Sequence, residues 1–329
     1  MKRSAFLAAG LAVLSLGLGA LPATAEAIGN GGQVRLATSP AGTMSLPPFI
    51  IEKFALDQKY GFELVIVPYT DANSVNVALN SRAADAANLD WLVTARLRAG
   101  GVPIIGVAPF MTYVNSILVP TDSDIESLAD LEGRVFGIHN RASFDWIMAQ
   151  AAARQTYGID LASAAEVFEG APPLLAGIIQ QGRLDATQMW NSIAAEMLAS
   201  GEFRTMASIR ELAENMGLPT APFLMYSFRE DYIAENPENV RAFLAAYAEV
   251  VEIMMTNDEV WELRGAEMNL SPEAIVYFRD QVRGDLLPYF TEDMEPALFA
   301  TFDILLETAG ADIIGLSEMP AQMLTMEFQ

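Results

Sequence analysis

The stretch SLADLEGRVFGIHNRASFDW, residues 127–146, predicts a turn, a buried strand, a polar loop and the start of a helix, in that order. Gly133 closes the turn, where a left-handed backbone costs glycine little. The apolar residues 135–138 predict the strand, and Ser143 is a suitable N-cap for the helix. Backbone N–H groups of such a loop and helix N-terminus can bind an anion or a polar group. An ordinary strand-to-helix turn without a ligand explains the same residues.

The N-terminus has the pattern of a secretory leader. Lys2 and Arg3 precede an apolar run, and residues 23–25 supply small side chains for cleavage. We therefore predict a signal peptide over residues 1–25. Because the sequence contains no cysteine, the mature chain would carry no lipid anchor on a cysteine and no disulfide. A retained transmembrane anchor is the weaker alternative, since glycines interrupt the run and no later segment reaches the length that spans a membrane.

Composition restricts the partners and the chemistry. The chain has 42 acidic and 19 basic residues, and its formal net charge of −23 would become −25 once Lys2 and Arg3 leave with the leader. Such a surface repels nucleic acid and anionic membranes, so we expect neither as a partner. One histidine and no cysteine exclude a histidine-rich or thiolate metal site, although an all-oxygen calcium site stays open.

Strand and helix signals alternate along the first third of the chain. Apolar runs at residues 34–37, 63–67, 84–89 and 102–110 predict strands, and residues 47–60 and 71–79 predict helices, the second capped by Asp71. This alternation predicts a parallel α/β sheet, in which ligands bind beyond the carboxyl ends of the strands.

Two further β-rich runs predict connections between lobes. Residues 113–119 have no helix after them, and residues 222–227 follow a turn-rich segment. We interpret them as crossovers that form a hinge. The predicted organisation is a first lobe over residues 26–118, a second lobe over residues 119–221, and a return crossover with C-terminal helices over residues 222–329 that rejoin the first lobe.

An internal echo supports two lobes. LNSRAADAANLDW at residues 79–91 parallels IQQGRLDATQMW at residues 179–190, each giving a helix end, a turn, an arginine, an aspartate, a short strand and a tryptophan. Trp91 and Trp190 are 99 residues apart, about the length of one lobe. We expect both tryptophans to face a shared cleft, with burial in separate cores as the alternative.

The turn Asp130-Leu131-x-Gly133-Arg134, with its strand and polar loop, resembles the start of the second lobe in substrate-binding proteins of ABC importers. The resemblance is to the nitrate, sulfonate, taurine and thiamine-precursor group of type II periplasmic binding proteins, and extends diffusely over residues 34–255. It implies an α/β fold of two mostly parallel sheets with flanking helices, joined by a two-strand hinge. It also implies a periplasmic monomer, a small ligand in the cleft, an ABC permease as partner, and no cofactor.

Signatures of catalysis are missing. The sequence has no phosphate-binding loop, no nucleophile elbow and no zinc-ligand spacing. A serine–His139 pair would lack a motif that places an orienting acid. The resemblance also reaches fungal thiamine-pyrimidine synthases, but their cysteine-rich signature is absent. We therefore predict binding rather than catalysis, with no catalytic residue and no metal ligand.

Two kinds of site fit the sequence. In the first, Arg141, Asn140 and Ser143 bind a sulfonate, carboxylate or nitrate-like anion, assisted by Ser39 and Thr43. In the second, Trp91, Trp190 and Tyr113 surround a cationic or heteroaromatic ligand, such as a thiamine-pyrimidine precursor, with charge from Asp90 or Asp145. The full candidate set is Ser39, Gly42, Thr43, Asp90, Trp91, Tyr113, Asn115, His139, Asn140, Arg141, Ser143, Trp190, Asn191 and Tyr226.

We favour the anion site, because only the loop of Arg141 combines a positive charge with a helix N-terminus. The predicted function is a periplasmic solute receptor that delivers a small organic anion to an ABC importer. A receptor for a cationic or heteroaromatic compound is the first alternative. A receptor-like accessory or sensor protein of the same fold is the second.

Overall fold

The computed structural model describes residues 27–40, 42–69 and 72–328. The predicted signal peptide and the predicted helix cap Asp71 lie outside the described residues. Within those ranges, no helix has the length and hydropathy that a bilayer span requires.

The described chain forms two five-stranded sheets. The first sheet has the order β2-β1-β3-β10-β4 and the second has the order β7-β6-β8-β5-β9. The strands are β1 (Gln33–Thr38), β2 (Glu63–Pro68), β3 (Ala86–Asp90), β4 (Ile104–Met111), β5 (Ser116–Pro120), β6 (Val135–Ile138), β7 (Glu166–Glu169), β8 (Ala186–Met189), β9 (Phe203–Ser208) and β10 (Leu224–Arg229).

Helices flank both sheets. They are α1 (Leu46–Lys53), α2 (Leu56–Tyr60), α3 (Ala72–Asn80), α4 (Trp91–Ala99), α5 (Phe144–Tyr157), α6 (Leu161–Ala164), α7 (Pro172–Gln180), α8 (Asn191–Ala199), α9 (Ile209–Asn215), α10 (Glu230–Glu235), α11 (Pro237–Thr256), α12 (Glu259–Glu267), α13 (Pro272–Asp285), α14 (Met294–Ala309) and α15 (Ala311–Ile314). Two 3-10 helices, Thr43–Ser45 and Leu128–Leu131, add one turn each. The predicted helix over residues 47–60 is interrupted between α1 and α2, where Ala55 adopts a left-handed backbone.

Each sheet is parallel except for one strand. In the first sheet, β10 lies antiparallel between β3 and β4; in the second, β5 lies antiparallel between β8 and β9. Both exceptional strands come directly after a crossover, because the chain passes from β4 to β5 and later from α9 back to β10. The predicted fold class, two mostly parallel sheets with flanking helices and two crossovers, is confirmed.

The sequence echo corresponds to a repeated structure. The Asp85 carboxylate accepts the backbone N–H of Arg35 at 3.0 Å, and the Asp185 carboxylate accepts the backbone N–H of Val135 at 2.7 Å. The pairing Leu36↔Ala86 between β1 and β3 has its counterpart 100 positions later between β6 and β8. Each aspartate therefore accepts a hydrogen bond from a backbone N–H group near the start of the neighbouring strand, one in each sheet.

The C-terminal helices contact helices that flank the first sheet and helices that flank the second sheet. Helix α11 packs on α1 and α2, whereas α13 packs on α8, and α14 packs on α5. The Gln281 side chain also donates to the Val114 carbonyl in the first crossover, at 2.7 Å. Helices α13 and α14 therefore contact helices of the second sheet, while Phe278 of α13 also packs on Trp261 of α12 and Leu286 bridges to Met111 of β4.

Candidate functional site

A cavity of about 340 Å³ lies between the two sheets. Its walls come from residues at or after the ends of β1, β2, β3, β6 and β8, the edge at which ligands bind in α/β sheets. The first sheet and its helices contribute Ser39, Gly42, Thr43, Met44, Tyr69, Leu89, Asp90, Val93 and Arg96. The second contributes His139, Asn140, Ala142, Ser143, Phe144, Asp145, Trp190 and Asn191, and the crossovers contribute Val114, Asn115, Phe223 and Leu224.

The two sheets are in contact across this cavity. The Thr43 hydroxyl, which follows β1, donates to the Asn191 side-chain oxygen at the start of α8, at 2.8 Å. Gly42 has a φ of 67°, and a Cβ there would lie 3.7 Å from the Ser192 hydroxyl. Glycine allows this left-handed turn directly opposite the second sheet. The two sheets therefore meet through these contacts at one side of the cavity.

Two carboxylates line the cavity. Asp90 ends β3 and caps α4, where its carboxylate accepts the Val93 backbone N–H at 2.7 Å. Burial raises the pKa of Asp90, and the hydrogen bond from Val93 opposes the increase. Asp145 lies in the first turn of α5 and is only 7% exposed. Burial raises the pKa of Asp145 to about 7, against the hydrogen bond from the Asn115 side chain at 2.8 Å.

Arg96 is the arginine of the cavity wall. It lies on α4 one helical turn after Val93, so both side chains occupy the same helix face. Its Nε donates to the Ile314 carbonyl at 2.8 Å, and its Nη1 donates to the Ala142 carbonyl at 2.9 Å. Arg96 therefore joins the first sheet to the loop after β6 and to the C-terminal segment. Its guanidinium is engaged by carbonyl oxygens, and sequence reasoning did not select it.

Aromatic rings occupy two separate places. Trp190 lies on the cavity wall, edge-on to the His139 ring at 5.4 Å between centroids. Burial lowers the pKa of His139 and favours the neutral imidazole. Trp91 is fully buried, with its ring 5.7 Å from that of Phe144, which also stacks on Tyr113 at 5.2 Å. Trp91 and Tyr113 therefore lie in an aromatic cluster behind the wall, and the predicted box of three aromatic rings does not form.

The cavity brings together most of the predicted site residues: Ser39, Gly42, Thr43, Asp90, Asn115, His139, Asn140, Ser143, Trp190 and Asn191. Ser143 is the N-cap of α5 as predicted, but its hydroxyl donates to the Asn140 carbonyl at 2.8 Å instead of capping the helix. Tyr226 does not reach the cavity. It is a fully buried residue of β10, packed against the rings of Phe243 and Tyr247.

Arg141 is the main correction to the sequence prediction. It does not line the cavity, and its side chain is about half exposed. Its Nε pairs with the Glu169 carboxylate at 3.0 Å, and its guanidinium lies over the Trp146 ring at 5.8 Å. The physical reason is the pairing of β6 with β7, which places Glu169 opposite Ile138 and beside the loop that carries Arg141.

A profile of the family described as NMT1/THI5 like matches residues 58–259. The chain belongs to the NMT1/THI5-like family. Among curated proteins, none matches its sequence significantly.

Solved structures share the fold of this NMT1/THI5-like protein. The alkanesulfonate-binding protein SsuA from Xanthomonas axonopodis pv. citri, bound to MOPS, has a TM-score of 0.70 at 15% identity, over 90% of this chain and 97% of that chain. The periplasmic aliphatic sulphonate binding protein SsuA from Escherichia coli has a TM-score of 0.69 at 19% identity, over 84% and 93%. The periplasmic nitrate-binding protein NrtA from Synechocystis PCC 6803 has a TM-score of 0.52 at 13% identity, over 71% and 65%.

The family match and these structures confirm the resemblance to the substrate-binding proteins of the sulfonate and nitrate group. At this identity the structures establish the fold, and the ligand has to be inferred from the cavity of the NMT1/THI5-like protein itself. Among residues 27–40, 42–69 and 72–328, no three His, Asp or Glu side chains are grouped closely enough to hold a metal ion.

The position of Arg141 gives a direct prediction. Arg141→Ala is expected to change ligand affinity by less than about twofold, because it removes an exposed ion pair outside the cavity. Calorimetric titration of both forms with any ligand of the cleft measures this. A loss of a hundredfold or more would place Arg141 back among the ligand-binding residues, as its sequence context suggested.

Proposed function

We propose that the NMT1/THI5-like protein is the solute receptor of an ABC importer, and that it binds a small molecule that donates N–H hydrogen bonds, cationic or heteroaromatic in character. The observation that carries the ligand chemistry is the pair of cavity carboxylates, Asp90 and Asp145. Among the described residues, no ion pair within 4.0 Å joins either carboxylate to an arginine, lysine or histidine. A ligand cation or N–H donor would supply the missing partner.

The ring of Trp190 supports the same ligand class. It lies on the wall beside a neutral His139, so an aromatic face borders the cavity that Asp90 and Asp145 also line. Flat cations and protonated heterocycles bind well to such combinations of aromatic faces and carboxylates. A volume of about 340 Å³ suits a small organic molecule.

An organic anion is the competing ligand class. It was favoured from the sequence because of Arg141, which lies outside the cavity, and the arginine that does line the wall, Arg96, is engaged by the carbonyls of Ile314 and Ala142. Sulfonate and nitrate are named for SsuA and NrtA. In this chain an oxyanion would meet Asp90 and Asp145 at close range, which opposes its binding.

The location and the partner are part of the proposal. The leader-like residues 1–25 and the absence of cysteine support export to the periplasm without a lipid anchor on cysteine, and a monomer there would present its closed form to an inner-membrane permease. Closure around a ligand is the signal that such a permease would recognise. We propose no catalysis, because among the described residues no carboxylate bonds to His139, whose ring packs on Trp190.

The compound that co-purifies with the protein tests this function. Denaturation should release it, and mass spectrometry should identify an unchanged small molecule with N–H donors, at about one molecule per chain. Cells that lack the gene should take up the labelled compound more slowly. If the protein converts the identified compound to a different product on incubation, it is an enzyme. If cells without the gene take up the compound at the normal rate, the protein is an accessory or sensor protein.

A further inference from the structure

The carboxylate of Asp145 has one oxygen with a partner and one without. Its Oδ2 accepts from the Asn115 amide at 2.8 Å, whereas its Oδ1 has no hydrogen-bond partner among the described residues. The residue is more than nine-tenths buried and lies on the cavity wall. A buried carboxylate oxygen without a donor is unfavourable, and a ligand in the cavity that Asp145 lines is the donor that we infer.

Asn191 presents the complementary group. Its Oδ1 accepts from the Thr43 hydroxyl at 2.8 Å and from the Ser192 backbone N–H at 2.9 Å. Because a backbone N–H can only donate, the atom facing Ser192 has to be the oxygen, and this fixes the orientation of the amide. Asn191 lines the cavity, and its buried Nδ2 has no partner in the described part of the chain. It offers a donor for a ligand acceptor.

The other charged groups around the cavity do not neutralise Asp145. Asp90, at the end of β3, repels a negative charge on Asp145, while Arg96 on α4 attracts the charge of Asp90. His139, after β6, is kept neutral by burial. The hydroxyl of Tyr69, after β2, donates to the Asn88 carbonyl at 2.8 Å. Burial raises the pKa of Tyr113, in the first crossover, to about 12, so its ring is uncharged near neutral pH.

We propose that Asp145 Oδ1 anchors an N–H donor of the ligand, that Asn191 Nδ2 binds an acceptor of the same ligand, and that a cationic ligand enters as Asp145 releases one proton to solvent. This inference rests on the proposed receptor function and deepens it. It assigns the specificity for charge to a single carboxylate, and it makes capture of a cation dependent on pH.

The direction of the pH dependence follows from the burial of Asp145 and from the charge of the ligand. Burial raises the pKa of Asp145 to about 7 in the ligand-free protein, with a further contribution from Asp90. A bound cation favours the ionised carboxylate, so the bound form holds no proton there. Below about pH 7, the affinity for a permanent cation should therefore fall about tenfold per pH unit, and above it the affinity should be constant.

Four probes with one phenyl ring and different head groups provide the test: benzamidine, benzamide, benzoate and benzenesulfonate. They are titrated calorimetrically from about pH 5.5 to about pH 8.5, at concentrations up to about 10 mM. Benzamidine should bind at least about tenfold more tightly than the other three at the highest pH. Titrations of the wild type in buffers of different ionisation enthalpy should show release of one proton per bound benzamidine below about pH 7.

Asp145→Asn should weaken benzamidine binding at least about tenfold at high pH and remove the pH dependence. Glu169→Gln also replaces a carboxylate with an amide, but outside the cavity and next to Arg141. It should leave the benzamidine affinity and its pH dependence unchanged. If Asp145→Asn does not fold, proton release by the wild type still tests the proposal. A pH-independent benzamidine affinity would overturn the role of Asp145 and leave the proposed function standing. Tighter binding of benzoate or benzenesulfonate would overturn both the role of Asp145 and the proposed ligand class, and would leave only a solute receptor. No binding of any probe would count against both.

Discussion

Trp91→Ala is expected to lower the free energy of unfolding by about 3–5 kcal/mol, because it empties a large and fully buried site. The ring of Trp91 packs on Phe144 of α5, so its loss also weakens the contact between the two sheets' helices. Since the stability of a domain is about 5–15 kcal/mol, this variant should approach the limit of folding. Urea unfolding followed by circular dichroism measures the effect.

Trp190→Ala is the matched control at the echo position. Trp190 is only partly buried and lies on the cavity wall, so its removal should cost much less stability and should instead weaken ligand binding. Trp91→Ala should therefore mainly lower the free energy of unfolding, and Trp190→Ala should mainly lower the affinity for the ligand. Equal losses of stability would mean that both tryptophans are core residues, and a loss of affinity from Trp91→Ala without a loss of stability would return Trp91 to the site.

Asp145→Asn should stabilise the ligand-free protein at about pH 8. Burial raises the pKa of this carboxyl from its ordinary value near 3.8 to about 7, so its ionisation is harder in the folded chain than in the unfolded chain. With a raised folded pKa, the carboxyl disfavours folding progressively as the pH rises from about 4 to about 7. At about 1.4 kcal/mol per pKa unit, the gain from the uncharged amide is on the order of 4 kcal/mol at pH 8.

Urea unfolding at a series of pH values measures this gain, which should shrink as the pH falls from about 8 to about 5. Asp130→Asn is a control of opposite sign, because hydrogen bonds from the backbone of Glu126 and from Ser127 lower the pKa of Asp130. That variant should be less stable than the wild type at high pH. A decrease in stability for Asp145→Asn at every pH would show that its carboxylate supports the fold instead of serving a ligand.

The gain in stability and the loss of binding would have one origin. A buried carboxylate with one oxygen unpartnered destabilises the ligand-free protein, and a ligand that donates to this oxygen removes the unfavourable contribution. Its two expected effects, on unfolding and on benzamidine binding, can be measured on the same variant.

The fold was predictable because its signals are local. Apolar runs and turn residues predicted the strands, and the echo around Asp85 and Asp185 reflected the same hydrogen bond to a neighbouring strand in each sheet. The packing of α13 and α14 was not predictable in this way. Their apolar faces specify burial, but nothing in a helical period states which sheet's helices they meet.

The cavity residues were predictable as backbone positions and less so as side-chain directions. Ser39, Asp90 and Trp190 lie at strand ends, and strand ends meet at one edge of each sheet. Arg141 also follows a strand, but the acidic end of β7 lies beside it and takes its guanidinium. Glu169 is the last residue of β7, which pairs in parallel with β6, so its carboxylate lies at the same sheet edge as the loop of Arg141.

Arg96 was missed for a related reason. It lies six residues beyond Asp90, where the helical period brings Val93 and Arg96 to the cavity face of α4. Arg96 lies in the second turn of α4, whereas the predicted site residues were taken from the loops and strand ends before the helices. The prediction that Trp91 faces the cleft was wrong, because the side chain of the first helical residue after a strand can point into the core as readily as into the cleft.

A crystal structure of the protein with the compound that co-purifies tests the central claim most directly. The account predicts that the compound lies between the sheets, with a ligand nitrogen about 2.7–3.2 Å from Asp145 Oδ1 and a ligand acceptor at the same range from Asn191 Nδ2. An oxyanion bound at Arg96 or Arg141, with no ligand donor facing Asp145, would contradict it.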